Sequence, residues 1–188
     1  MRTVPELPDP NLDAVRSALR AHDHAPERER EPEPEPEPAG PPPVGQGPSE
    51  MQEGVSTTRL DPDGEERFQL LRRELGVSAF GLNYLRLRPR QRGRIHAHER
   101  QEEVYVVLEG TLTLVIEGEE RTLARGEVAR VAPAVRRQLA NRGDETLLVL
   151  TIGGDGAHEG RDGVAFTAWK DREARPIPEV PLPPDLDR

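Results

Sequence analysis

The chain has 188 residues, no cysteine, and 35 acidic against 26 basic side chains, for a net charge of −9. Its length suits one domain with room for an appendage. Without cysteine, disulfides and thiolate chemistry are excluded, and any metal must be held by nitrogen and oxygen ligands.

The charge is distributed unevenly. Residues 1–53 carry 12 acids and 5 arginines, a balance of −7, which leaves 23 acids and 21 bases, or −2, for the rest. A nearly neutral folded part with intermixed signs lacks the basic patch that phosphate binding requires, so nucleic acid is excluded as the main partner. No run approaches the ~18 apolar residues of a membrane span, and the N-terminus has no apolar signal core. A soluble, cytoplasmic protein is expected.

Of the 20 prolines, 12 lie in the first 50 residues. A short helix is predicted over Asn11 to His22, with Leu12, Val15 and Leu19 on one face and Asp9 or Asn11 as its cap. At about a dozen residues it is marginal in isolation and needs a surface to dock on. His22 and His24 lie among polar residues and read as solvent-exposed. Four Glu-Pro repeats follow from Glu31 to Pro38. Their like charges repel and each proline fixes φ, so an extended polyproline-II spacer is expected. Residues 1–54 are therefore expected to be a disordered extension. Met51 opens ordinary composition and is an alternative translation start to Met1.

Beyond it the signals turn to β structure. Glu65 to Gly76 fits a short strand followed by a helical turn, with Gly76 as the stop. Strands are then predicted over Gly81–Arg88, around His96, over Glu103–Leu108, Thr111–Glu117, Glu120–Ala124, Glu127–Val131, Val135–Ala140 and Thr146–Ile152, with one more over Val164–Trp169. Glycine, proline and asparagine punctuate them at Gly110, Gly118, Gly126, Pro133 and Gly143. Short strands at regular spacing with such turns indicate an all-β domain, a double-sheet barrel or sandwich, over residues 55–175. The proline-rich end, 176–188, is expected to lie along the surface or fray. Strands such as Val104–Leu108 and Leu147–Ile152 are apolar on both faces, more than one barrel interior needs. The second face implies contact with another subunit or with the chain's own ends, and a homodimer is expected.

His96 and His98 sit two apart, so on a strand both imidazoles project to one face. Glu103 follows five residues later, where a turn between antiparallel strands brings its carboxylate opposite the rings. Two imidazoles and one carboxylate are the ligand set of a zinc site or of a non-haem iron triad. Tyr105 shares strand parity with Glu103 and faces the same way. Gln138 has the opposite parity to Arg137 and points away. His158, in a glycine-rich loop, reads as exposed.

These residues resemble the cupin family. That family's first motif runs Gly, five residues, His-x-His, three or four residues, Glu, six residues, Gly. His96-Ala97-His98, Glu103 and Gly110 match it, with Arg90 in place of the leading glycine. The second motif runs Gly, five residues, Pro-x-Gly, two residues, His, three residues, Asn. Gly126 and Asn141 fit its ends, but Ala132 and Ala134 replace its proline and glycine, and Arg137 stands at its histidine. The resemblance covers about Phe80 to Gly153 and implies a small jelly-roll β-barrel, often dimeric, with a metal near the barrel axis.

Arginine keeps its proton and offers no lone pair, so Arg137 cannot be a fourth ligand. One expectation is a divalent metal (Fe, Mn, Zn or Ni) on His96, His98 and Glu103, with a small anionic organic molecule met by Arg137 and Tyr105. An enzyme built this way would be a dioxygenase-like oxidoreductase or an isomerase. The alternative is a non-catalytic, ligand-binding or sensory cupin whose empty metal site is closed by an Arg137–Glu103 salt bridge.

Overall fold

The structure, a computed structural model, describes residues 53–154 and 162–187. The 11–22 helix, the Glu-Pro repeat, His22, His24 and His158 lie outside those residues.

Nearly all regular structure is β. In chain order the strands are β1 (Phe68–Gln69), β2 (Gly81–Leu87), β3 (Ile95–His98), β4 (Glu102–Glu109), β5 (Thr111–Ile116), β6 (Glu119–Ala124), β7 (Val128–Val131), β8 (Arg137–Ala140), β9 (Leu147–Gly154), β10 (Gly163–Phe166) and β11 (Arg175–Pro176). One helical turn, α1 (Leu71–Leu75), follows β1 and stops at Gly76, whose left-handed φ of 69° a glycine adopts without strain. β5 and β6 form a two-residue hairpin through Glu117 and Gly118, both at positive φ, the turn whose twist suits flanking strands.

The strands form two antiparallel sheets, β1-β2-β9-β4-β7 and β11-β10-β3-β8-β5-β6. Period-2 alternation sends one set of side chains between them. Leu85, Leu87, Tyr105, Val107, Leu112, Leu114, Leu139, Leu147 and Val149 pack there into one core. A register shift at Val107/Glu109, opposite β9, bends β4 as a closing jelly roll requires. The edge strand β6 is exposed and carries Glu119, Glu120 and Arg121, charges that discourage pairing with another chain.

The second apolar face is covered in large part by the chain's own ends. On the five-stranded sheet, Leu71 of α1 is buried against Tyr84 and Leu148. On the six-stranded sheet, Trp169 and Ala174 pack on Ile95, Ala97, Val164 and Phe166. The proline-rich end docks there too. Val180 is buried, Arg94 Nε donates to its carbonyl, Arg92 Nε donates to the Pro184 carbonyl at 3.0 Å, and Leu186 N to the Arg90 carbonyl at 2.8 Å. Val128, 59% exposed, remains as an uncovered apolar side chain on the outer face of β7. Among the described residues no helix is long and apolar enough to cross a membrane.

A candidate metal centre

β3 lies in the six-stranded sheet between β10 and β8, and β4 lies in the other sheet. The three residues 99–101 carry the chain across the gap between the sheets. Alternation turns His96 and His98 inward from one wall, and Glu103, the second residue of β4, inward from the other. One nitrogen or oxygen from each of the three lies within 4.8 Å of the others. The sequence-predicted trio is therefore brought together.

Small residues flank it. Gly163 of β10 pairs in register with His98, and a Cβ there would come within 3.2 Å of the His98 ring and 2.5 Å of Ile177. Gly153 of β9 pairs with Glu103. A Cβ there would come within 3.4 Å of the glutamate side chain.

Arg137 comes from β8, in register with His96. Its side chain is fully buried. Nη1 donates to the carbonyls of Pro133 at 2.7 Å and Val135 at 2.8 Å, while Nε and Nη2 donate to Glu103 Oε2 at 3.0 and 2.8 Å. Four of its N–H groups are thus engaged within the protein. The Tyr105 hydroxyl donates to the same Glu103 oxygen. His96 Nε2 lies 3.3 Å and His98 Nε2 3.5 Å from that oxygen. Glu103 Oε2 is the point on which the whole group converges.

Each pKa is set by a contest between burial and neighbours. Burial pushes the Glu103 carboxyl up, but hydrogen bonds from both imidazoles and the Arg137 charge hold it well below the usual carboxylate range. Burial lowers His96, and Glu103 only partly offsets it. Burial works against His98 as well, yet Asp162 and Glu103 together raise it. Burial and the Glu103 charge keep Tyr105 protonated far above neutral pH. Burial works against the Arg137 charge, and Glu103 and Tyr105 together more than restore it.

The donor set fits a divalent cation. His96 Nδ1 lies 3.1 Å from the Arg94 carbonyl and Nε2 3.3 Å from Glu103 Oε2. Both partners can only accept, so a neutral ring leaves one of them facing a lone pair, and with the proton on Nδ1 that lone pair is the Nε2 one, turned to the site. A lone pair facing a carboxylate oxygen is unfavourable unless a proton or cation lies between them. Ligands about 2.1 Å from one ion and at right angles around it stand roughly 3.0 Å apart, close to the 3.3 and 3.5 Å found. Arg137 adds a positive charge where a fourth ligand would otherwise be.

Sequence reasoning missed Asp162. Its side chain is 3% exposed and lies 3.6 Å from His98 Nδ1, and a lone aspartate in a glycine-rich stretch carries no signal that would single it out. Gln138 points away as expected, its amide donating to the Gly93 carbonyl at 2.8 Å. Arg90 occupies the place of the motif's leading glycine with a φ of 68°. The left-handed backbone that favours glycine there is retained without one, at a cost of roughly 1–2 kcal/mol. Asn141 is buried and its amide donates to the carbonyls of Leu87 and Glu145, a structural clamp.

Residues 83–153 match the family model described as a cupin domain. Among solved structures, the chain is similar to a sugar phosphate isomerase from the cupin superfamily of Silicibacter pomeroyi. That match has 27% identity over 54% of this chain and 65% of that one, with a TM-score of 0.48. It is also similar to a cupin protein from Bacteroides fragilis, at 23% identity over 58% and 92% of the two chains and a TM-score of 0.49. A third is a cupin 2 conserved barrel domain protein from Salinispora arenicola, at 24% identity over 42% and 65%, with a TM-score of 0.39. The chain thus spans less than two thirds of the Silicibacter protein. No curated protein matches the sequence. The two-sheet barrel and its intact His-x-His and Glu motif make residues 83–153 a small cupin-type domain.

Proposed function

We propose that this barrel binds one divalent transition metal through His96, His98 and Glu103 and, beside it, a small anionic organic molecule. The observation that carries the reading is the convergence of two imidazole nitrogens and a carboxylate within 4.8 Å, with the Arg94 carbonyl placed to hold the His96 proton on Nδ1 and turn the Nε2 lone pair inward. A divalent ion with one carboxylate and the Arg137 guanidinium leaves an excess of two positive charges, which favours an anionic ligand. Arg137 supplies that field through its charge, since its donors serve Glu103 and two carbonyls. Tyr105 fixes the Glu103 carboxylate through the hydroxyl. A metal on such a triad supplies Lewis-acid or oxygen-activating chemistry when bound, which makes a dioxygenase-like oxidoreductase or an isomerase the enzyme class proposed. The remaining outer face around Val128 is proposed as a homodimer contact.

One contact favours a second reading. Arg137 Nη2 donates to Glu103 at 2.8 Å, the salt bridge of a non-catalytic binder with a closed site. Titration of chelator-treated protein with zinc and with manganese, followed by calorimetry and by melting temperature, separates the two. Metal binding at one ion per chain, with a rise in melting temperature, supports the first. No binding of either ion supports the second.

A further inference from the structure

We infer that Asp162 is a positioning residue of this centre: it orients the His98 ring and sets the span between His98 and Glu103. The inference rests on the metal-site reading and assigns a role to a residue outside the cupin motifs.

Asp162 stands immediately before β10 and reaches back to the connection between the two ligand strands. Its Oδ2 accepts from Gln101 N at 2.8 Å, and both its carboxylate oxygens lie within 3.3 Å of Arg100 N. Its own carbonyl accepts from Glu99 N at 3.1 Å. Three consecutive backbone N–H groups, those of residues 99, 100 and 101, are therefore gathered by one residue. These are the residues that lead from His98 to Glu103, so the separation of the two ligands depends on that grip.

The same carboxylate governs the ring. His98 Nδ1 is buried and has no hydrogen bond among the described residues, and Asp162 Oδ2 faces it at 3.6 Å. A buried carboxylate can only accept, so Asp162 competes with Glu103, 3.5 Å from Nε2, for the proton of the neutral ring, and a proton held on Nδ1 leaves the Nε2 lone pair for the site. Gly163, next in sequence, keeps the space in which the ring sits. His96 obtains the same orientation from a backbone carbonyl, which needs no particular side chain. Only the His98 arrangement depends on the identity of another residue.

The test uses the full-length chain. Asp162→Ala removes the acceptor that faces Nδ1 and leaves Glu103 Oε2, 3.5 Å from Nε2, as the acceptor for the ring, which favours the other tautomer. Zinc affinity of this variant should fall by about tenfold or more, the usual penalty for losing such a partner. Long-range nitrogen NMR of the zinc-free parent at alkaline pH should show the His98 proton on Nδ1, and the variant should show it on Nε2. Unchanged zinc affinity in a folded variant, or a parent His98 with its proton on Nε2, would overturn the assignment. A parent that binds no zinc sinks the metal reading instead, and the tautomer measurement then decides the role of Asp162 by itself.

Discussion

The two halves of the candidate centre are built differently. His96, His98 and Glu103 lie within eight residues on consecutive strands, and alternation plus one short crossing delivers all three to one point. Arg137 comes 34 residues later from β8 and meets Glu103 through sheet pairing. The local half offers the three donors proposed as metal ligands, whereas the distant half brings a fixed positive charge. A carboxylate at the junction serves both, and its protonation and orientation are set by whichever side grips it harder. The comparison teaches that, on the proposed metal reading, affinity is a competition for Glu103 between the ion and Arg137.

The largest test removes the local half. His98→Ala deletes one of three protein ligands, and zinc or manganese binding should drop at least a hundredfold, to the point of vanishing in calorimetry. Retained binding would show that the ion sits elsewhere.

Next comes removal of the distant half. Arg137→Ala leaves Glu103 largely buried without its main counter-charge, and breaking such a pair costs roughly 3–5 kcal/mol. Urea unfolding of the metal-free protein should show a loss of that order. A loss under about 1 kcal/mol would mean that the pair is weak despite its geometry.

Converting one half into the other is a sharper and smaller change. Arg137→His removes a positive charge and offers a fourth imidazole, so metal affinity should rise about tenfold or more, some 1.4 kcal/mol. Affinity no greater than the parent's would show that residue 137 does not face the ion.

Acid and base should then distinguish Glu103 from His98. Glu103 is depressed in the folded state, so its stabilisation is present above the ordinary carboxylate pKa of about 4.3 and is lost only as pH falls through the lower folded value. His98 is raised, so its contribution is complete below about 6.5 and is lost as pH rises through the folded value. The stability difference between the metal-free parent and His98→Gln should therefore shrink between mildly acidic and alkaline pH. Because metal needs the neutral ring, zinc binding near pH 6 should also release a proton, which shows as a buffer-dependent binding enthalpy. An enthalpy independent of buffer would contradict a protonated His98.

The smallest effects lie outside the centre. Truncation at Met51 removes a segment whose composition cannot bury an apolar core, and the melting temperature should stay within about 2 °C. Light scattering should give twice the 20.9 kDa chain mass, and Val128→Lys should shift that towards the monomer. A parent at the monomer mass would remove the dimer proposal.

By itself the sequence determined the strand succession and the local half of the site. Alternating apolar residues broken by glycine and proline placed the strands from β1 to β10 to within a few residues, because strand period and turn chemistry are local properties; β11, two residues of the proline-rich end, was not foreseen. His96, His98 and Glu103 were legible for the same reason, since parity along two neighbouring strands needs no knowledge of the rest of the chain. The tertiary structure decided what those ligands face. The grip of Arg137 on the same oxygen that Tyr105 touches depends on β8 lying beside β3, and Asp162 reaches His98 only because β10 pairs on its other side. The docking of the proline-rich end over β3 and β10 was equally non-local. Such contacts join residues 34 to 92 positions apart. They are fixed by the closure of two sheets upon each other, which no local pattern of side chains encodes.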